Sequence, residues 1–190
     1  MITKSRKTKE TDIEISLKLY GTGKSNIKTG VGFLDHMLES FSKHSLIDID
    51  INCIGDTYID DHHSVEDIGI VLGSLLSEAI YPVEGIERFG NANIVMDEAC
   101  VSCDLDISNR PFLVFEVNLG GKVGQFDTEL VEEFFKAFVL NARISTHIVA
   151  LRGKNKHHLI EASFKSLAVA IRRAITKNER VGIPSTKDVL

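Results

Sequence analysis

The pattern His-His-x-x-Glu occurs twice in the sequence, at residues 62–66 and again at residues 157–161. The second copy follows the first by 95 residues, which is half of the 190-residue chain. Each copy begins a segment whose apolar residues have helical spacing, and superimposing the copies also superimposes an earlier predicted helix of each half. We therefore expect a duplicated half-domain rather than two unrelated modules.

Apolar periodicity predicts a similar order of elements in both halves, each of which begins with a strand and ends with a helix, a strand and a helix. In the first half the predicted elements are a strand, a helix, a strand and a helix, at residues 12–20, 32–43, 47–51 and 62–80. In the second half they are three strands, a helix, a strand and a helix, at residues 92–96, 100–107, 112–117, 128–140, 144–151 and 157–176. The sequence thus predicts an α+β fold in which each half, 1–90 or 91–190, is a mostly antiparallel sheet with two helices. No flexible linker separates the halves, so we expect them to pack as one unit.

Composition excludes several classes of protein. With 43% hydrophobic and 26% charged residues, the chain is globular rather than disordered or fibrous. A net charge of -5 and the absence of a basic cluster with interleaved aromatic residues argue against a nucleic-acid partner. No apolar run approaches the ~18 residues that span a bilayer, and the N-terminus has no apolar signal segment. For these two reasons we expect no membrane partner. Three cysteines do not suggest a disulfide framework, so we expect a cytoplasmic protein.

The duplicated motif has the spacing of a metal site. On a helix, the first histidine and the glutamate are four residues apart, so that one face presents both to a single cation. The second histidine is turned by about 100° and would serve a different metal. With two further histidines, the chain holds enough ligands for two sites of three histidines and one glutamate: His36, His62, His63, Glu66, His147, His157, His158 and Glu161. Nitrogen and oxygen donors without thiolate suit Mn, Fe, Co or Zn, so ligand chemistry leaves the metal open.

A single histidine on a helix is more often a surface residue than a ligand. Adjacent histidines bury poorly, however, so two doublets in corresponding places of a repeat favour a metal role. Scattered cations such as Arg88 and Arg110 are individually typical of a solvated surface. Lys165 differs because it lies four residues after Glu161, on the same helix face. Two metals with cations beside them would suit a small phosphorylated substrate.

Eight segments of the chain resemble the imidazoleglycerol-phosphate dehydratase family of histidine biosynthesis. They are Thr-Lys-Glu-Thr (8–11), Thr-Gly-Val-Gly-Phe-Leu-Asp-His-Met-Leu (29–38), Gly-Asp-Thr-Tyr-Ile-Asp-Asp-His-His-Ser-Val-Glu-Asp (55–67), Arg-Phe-Gly (88–90), Met-Asp-Glu-Ala (96–99), Leu-Asp-Ile-Ser-Asn-Arg-Pro (105–111), Gly-Lys-Asn-Lys-His-His-Leu-Ile-Glu-Ala-Ser-Phe-Lys (153–165) and Pro-Ser-Thr-Lys (184–187). Together they span nearly the whole chain and include both doublets. Asn109 and Asp188 stand where the family usually has glycine.

The resemblance implies a fold like the second domain of ribosomal protein S5 and two manganese ions per active site. It also implies active sites that form where subunits meet in a 24-subunit shell of cubic symmetry. One metal would then take His36, His63, His157 and Glu161, and the other would take His62, Glu66, His147 and His158. This grouping agrees with the helical spacing, which separately pairs His62 with Glu66 and His157 with Glu161.

The resemblance further implies that water is removed from D-erythro-imidazole glycerol phosphate, through an enol, to give imidazole acetol phosphate. The catalytic residues would be Glu10, Glu66 and Glu161, with Glu10 near the reacting carbons as the candidate for proton transfer. The residues that bind the substrate would be Glu10, His36, His44, His62, Arg88, Arg110, His157, Lys165, Ser185, Thr186 and Lys187. Of these, Arg88, Arg110, Lys165, Ser185 and Lys187 would hold the phosphate.

Two other functions stay open at this point. A dinuclear metallohydrolase of small phosphate esters would use the same ligands, although such sites usually add bridging aspartates. A metal-binding shell protein would need the ligands but not the cations around them. Substitution of Lys165 by alanine would be silent in such a shell protein and damaging in an enzyme.

Overall fold

A computed structural model describes all 190 residues, which form ten strands and four helices. The first half contains β1 (Ile2–Lys7), β2 (Thr11–Lys18), β3 (Ser25–Lys28), α1 (Gly32–Ser45), β4 (Asp48–Gly55) and α2 (His62–Ile80). The second half contains β5 (Phe89–Met96), β6 (Ala99–Asp106), β7 (Phe112–Glu116), β8 (Lys122–Val123), β9 (Phe126–Asp127), α3 (Leu130–Ala142), β10 (Ser145–Arg152) and α4 (Lys156–Ala174). None of the four helices combines the length and the apolar character that a membrane span requires.

The two four-stranded sheets have the same topology, which confirms the predicted α+β fold with duplicated halves. Their strand orders are β1-β2-β4-β3 and β5-β6-β10-β7, and in each sheet only the last pair is parallel. The distance between equivalent strands is not constant, being 88 residues for β2 and β6 but 97 for β4 and β10. The difference arises because the second half inserts the β8–β9 hairpin before its first helix. The division into 1–90 and 91–190 stays a prediction.

Both sheets bury one face against helices that lie between them. Ile13, Ile15 and Leu17 of β2 are buried and alternate with exposed or half-buried polar residues. The helices also pair across the repeat, since α1 packs against α4 and α2 packs against α3. A Cβ at Gly73 would lie 2.3 Å from the carbonyl oxygen of Phe138, so this position of α2 needs glycine for its close approach to α3. The α1–α4 contact places side chains from different halves side by side.

Four strands escape prediction: β8 and β9 have only two residues each, and β1 and β3 lack apolar alternation. The half-buried residues of the edge strand β1 are Lys4 and Arg6, whose side chains pair with Glu78 and Asp67 on α2. In β3, only Ile27 is buried. The helices, by contrast, begin and end close to the predicted residues. The bounds of α2 are those predicted, residues 62 and 80.

Candidate metal centre and substrate site

Three of the predicted ligands converge where α1 meets α4. The Nε2 atoms of His157 and His36 lie 3.2 and 3.6 Å from the same carboxylate oxygen, Oε2 of Glu161. His157 and Glu161 are one turn apart on α4, as the spacing predicts, whereas His36 comes from the first half of the chain. All three donor atoms lie within 4.8 Å of one another.

These separations suit a single metal ion. Ligand atoms that bind one metal at about 2.1 Å lie about 3 to 4 Å apart, which is the spacing of each imidazole nitrogen from the glutamate oxygen. The donor set contains no thiolate and fits manganese as well as iron, cobalt or zinc. Within one chain this is the only cluster of three such side chains, so the other five predicted ligands do not complete a second centre by themselves.

Lys165 completes the polar cluster from the next turn of α4. Its ammonium lies 2.6 Å from Oε1 of Glu161, the carboxylate oxygen that does not face the histidines. Burial alone would raise the pKa of Glu161, but the hydrogen bond and charge of Lys165, aided by His36, hold that pKa below its ordinary value. Glu161 is therefore an anion at neutral pH although only 8% of its side chain is exposed.

His44 lies near this cluster, at the last turn of α1. Burial lowers the pKa of His44, and the charges of Lys165 and Arg172 lower it further. Its backbone carbonyl accepts a hydrogen bond from Arg172. A neutral imidazole beside Lys165 can exchange hydrogen bonds with a polar substrate without adding charge.

The start of α4 is fixed by two side chains. The Asn155 side chain caps the helix by accepting hydrogen bonds from the backbone nitrogens of His157 and His158. The chain before the helix is held by Glu98, whose Oε1 accepts from the backbone nitrogens of Lys154 and Asn155. The hydrogen bonds from Asn155, from the side chain of His158 and from Lys154 lower the pKa of Glu98 to about 2. The histidine doublet thus follows a helix start that is anchored to the turn between β5 and β6.

The doublet of α2 is less enclosed. Nε2 of His62 lies 3.7 Å from Glu66, and more than two fifths of each side chain is exposed. Nδ1 of His63 lies 3.0 Å from Asp56, while its Nε2 lies 3.7 Å from Glu10. The hydrogen bond with Asp56 raises the pKa of His63. No third predicted ligand from the same chain approaches this doublet.

The two remaining predicted ligands also point away from the cluster of three. Nδ1 of His158 lies 2.7 Å from Glu98 and its Nε2 lies 3.8 Å from Asp97. The hydrogen bond with Glu98 raises the pKa of His158. His147 is exposed on β10, beside the ring of Phe112. The structure therefore leaves His147 exposed and His158 partly exposed, and assembles neither residue into the cluster of three.

Most of the predicted phosphate ligands line one cleft of about 650 Å³. They are Arg88, Arg110, Ser185 and Lys187, and Thr186, which is predicted to bind the substrate, lines the cleft beside them. The backbone of Arg88 is left-handed, with φ 70°. Its guanidinium forms a two-pronged ion pair with Asp106 and donates a hydrogen bond to the carbonyl of Pro184. Lys165 does not line this cleft. Within a single chain it is therefore apart from the other predicted phosphate ligands.

Comparison with known proteins decides the family. The sequence model of imidazoleglycerol-phosphate dehydratase matches residues 29–171, three quarters of the chain. The chain belongs to the imidazoleglycerol-phosphate dehydratase family. The dehydratase of Sulfurimonas denitrificans is 80% identical over 190 residues, 100% of both chains, and that of a Sulfurovum species is 64% identical over the same span.

Solved structures agree with this result. The imidazoleglycerol-phosphate dehydratase of Staphylococcus aureus has a TM-score of 0.83 at 46% identity and covers 94% of this chain and 100% of its own. That of Pyrococcus furiosus has a TM-score of 0.85 at 41% identity and covers 98% and 100%. The predicted family, and with it the prediction of a hydro-lyase enzyme, is confirmed. The individual site residues stay predictions.

Both departures from the usual family sequence fall where the backbone is left-handed. Asn109 has φ 57° and Asp188 has φ 55°. Glycine adopts this conformation freely, and asparagine and aspartate adopt it more readily than other residues. The two substitutions therefore keep the backbone shape that a glycine would give on either side of the cleft.

Sequence reasoning missed two carboxylates that contact Nδ1 of a histidine in each doublet, Asp56 and Glu98. Asp56 stands six residues before His62, in the loop between β4 and α2, and could have been found as a carboxylate close before a doublet. Glu98 has no such local signal, because it lies 60 residues from His158 and meets it only through the packing of α4 on the sheet. Asp106 was missed in the same way, since only the fold brings it to Arg88.

Proposed function

We propose that this protein dehydrates D-erythro-imidazole glycerol phosphate to imidazole acetol phosphate in histidine biosynthesis, with two manganese ions per active site. The observation that carries the proposal is the convergence of His36, His157 and Glu161 beside Lys165. This places a three-donor metal cluster next to a cation, as the reaction of a phosphorylated substrate requires. Family membership supplies the substrate class.

Each metal would be held by three histidines and one glutamate. His63 would join the cluster of His36, His157 and Glu161, and the second metal would take His62, Glu66, His147 and His158. When bound, such ions supply Lewis acidity and orient the substrate. Nitrogen and oxygen donors alone do not distinguish manganese from other divalent metals. The proposal of manganese therefore rests on the family resemblance.

The chain's own carboxylates would handle the protons. Glu10 lies 3.7 Å from Nε2 of His63 and is half exposed, so it is accessible to a substrate that reaches this imidazole. A carboxylate in that place can accept the proton that leaves carbon. Replacement of Glu10 by glutamine should abolish turnover while leaving the metals bound. Full turnover in that variant would reject Glu10 as the proton-transfer group.

The cleft of Arg88, Arg110, Ser185, Thr186 and Lys187 would bind the phosphate group. Guanidinium groups match phosphate oxygens in pairs, and the ion pair with Asp106 fixes the plane of the Arg88 guanidinium. Lys165 would add a cation from the metal side. His44, neutral beside Lys165, would line the same pocket.

We also propose that copies of the chain assemble into a 24-subunit shell and share their active sites. Two observations support sharing: one chain brings together only three ligands, and the α2 doublet lies open at the surface. Large apolar side chains near that doublet are exposed as well, notably Tyr58 at 88% and Ile59 at 60%. Such a surface is suited to burial against another copy. Light scattering and negative-stain microscopy measure the particle size directly.

The deciding experiment is turnover of imidazole glycerol phosphate by metal-stripped protein, before and after manganese is added, with the acetol phosphate product as readout. Product should form only after manganese addition. The matched control is the stripped protein with magnesium, which prefers a site of oxygen ligands. Protein that binds two manganese ions per chain but forms no product would reject the dehydratase function.

A further inference from the structure

We propose that Asp56 and Glu98 are positioning residues, which hold the imidazole rings of His63 and His158 so that Nε2 of each ring faces its metal. The inference rests on the metal centre of the proposed function and deepens it. It concerns two carboxylates that are themselves not among the predicted ligands.

Asp56 has a single side-chain partner, which is His63. Its Oδ1 and Oδ2 lie 3.1 and 3.0 Å from Nδ1 of the imidazole, so the carboxylate straddles that nitrogen. Only 10% of the Asp56 side chain is exposed, and its backbone nitrogen donates to the carbonyl of Glu10. The carboxylate is therefore fixed by the loop and screened from water.

Glu98 holds His158 in the same way from a different element. Its Oε2 lies 2.7 Å from Nδ1 of His158, while its Oε1 accepts from the backbone nitrogens of Lys154 and Asn155. One side chain thus fixes both the ring and the segment that begins α4. Nε2 of His158 is left without a hydrogen bond, 3.8 Å from Asp97, as Nε2 of His63 is, 3.7 Å from Glu10.

The chemistry of imidazole explains the arrangement. A neutral imidazole carries one N–H, and an ionised carboxylate only accepts hydrogen bonds. A carboxylate on Nδ1 therefore keeps the proton there and leaves the lone pair of Nε2 free for a metal. Such partners typically raise metal affinity 10- to 100-fold.

The internal repeat strengthens the inference, because the two carboxylates do not occupy equivalent positions. Asp56 lies in the loop between β4 and α2, whereas Glu98 lies in the turn between β5 and β6. By the 88-residue spacing of β2 and β6, the residue equivalent to Glu98 is Glu10, which faces Nε2 of His63 instead. The same Nδ1 contact has thus arisen from two places, which simple inheritance from a common half-domain does not explain.

The test uses isosteric pairs of variants in the full assembly. Asp56→Asn keeps an acceptor for Nδ1–H, while Asp56→Leu keeps the shape and removes the acceptor. Glu98→Gln and Glu98→Met form the corresponding pair. Manganese binding is measured from the electron paramagnetic resonance signal of the free aqueous ion, without substrate. Glu14→Gln, on the exposed face of β2, is the control and should bind as the wild type does.

We expect Asp56→Leu to weaken one of the two manganese sites about 10- to 100-fold and Glu98→Met to weaken the other by a similar factor. The Asn and Gln variants should lose only a few-fold. Circular dichroism establishes that each variant is folded.

Wild-type affinity at both sites in Asp56→Leu and Glu98→Met would overturn the positioning role while leaving the metal centre intact. Equal losses in the two members of each pair would also overturn it, because the negative charge, which both variants remove, and not the hydrogen-bond acceptor would then matter. Wild-type protein that binds no manganese would overturn the metal centre itself, and the positioning role with it.

Discussion

The two histidine doublets have the same sequence pattern and the same place on equivalent helices, yet their surroundings differ. At α4, His157 lies 3.2 Å from a glutamate whose side chain is 8% exposed, and His36 and Lys165 contact that same carboxylate. At α2, the corresponding glutamate, Glu66, lies 3.7 Å from His62 and is 45% exposed. The duplication has thus repeated the ligands without repeating the environment of the site.

The difference has two physical sources. His36 reaches α4 because α1 packs across the repeat, and no histidine of the second half makes the reciprocal contact with α2. When the doublets are aligned, the residue equivalent to Lys165 is Ile70, which cannot neutralise a carboxylate. His157 and Glu161 are therefore assembled with His36 within one chain, whereas the α2 doublet gains no further predicted ligand from its own chain.

The largest expected effect comes from removing either glutamate. Glu161→Gln and Glu66→Gln should each lower kcat by at least about 100-fold, because each would remove a charged ligand from one of the two proposed metals. Steady-state turnover in saturating manganese measures the loss. Glu39→Gln, on the exposed face of α1, is the control and should retain activity. Normal activity in Glu66→Gln would mean that the α2 doublet is not part of the active site.

The sequence predicts contacts within one helix of this site but not contacts between helices. Contacts along one helix, such as His157 with Glu161 and Glu161 with Lys165, follow from the four-residue spacing alone. The approach of His36 does not, because it depends on how α1 packs against the other half. The spacing equally predicts a pair at His62 and Glu66, but it carries no information on whether further ligands come from the same chain.

The fold was predictable to a similar extent. The repeat and the apolar periodicity gave α2 and α4 nearly to the residue, since those helices bury a continuous apolar face. Periodicity failed for β1, whose inward side chains are Lys4 and Arg6 paired with acids on α2. Charged pairs that substitute for apolar contacts leave no period-two signal.

Mixing two inactive variants tests whether active sites are shared between copies. If α4 of one chain and α2 of another form a site, Glu161→Gln and Glu66→Gln chains assembled together at equal amounts should regain about a quarter of wild-type activity, since some sites then receive both intact helices. The measurement is turnover after the two proteins are dissociated and reassembled together. Each variant reassembled alone is the control. No recovery in verified mixed assemblies would place both helices of a site on one chain.

Lys165→Met should have an intermediate effect. If the ammonium holds the substrate phosphate as well as Glu161, loss of a charge-assisted hydrogen bond should raise KM by about 10- to 100-fold. Manganese affinity should change less, because the metal itself compensates the charge of Glu161. Lys136→Met, at an exposed position of α3, is the control. An unchanged KM with weakened manganese binding would assign Lys165 to support of Glu161 alone.

The smallest expected effect concerns the two helix starts. Asn155 caps α4 with its side chain, and Asp60, which stands at the same distance before the α2 doublet, accepts a hydrogen bond from the backbone nitrogen of His62 in the same way. Asp61, the next residue, makes no such hydrogen bond. Asn155→Ala should therefore lower the free energy of unfolding of metal-free protein by about 1 kcal/mol, and Asp61→Ala should change it much less. Urea titration followed by circular dichroism gives both values at one protein concentration. Equal losses in the two variants would mean that the loss does not come from the capping hydrogen bonds of Asn155.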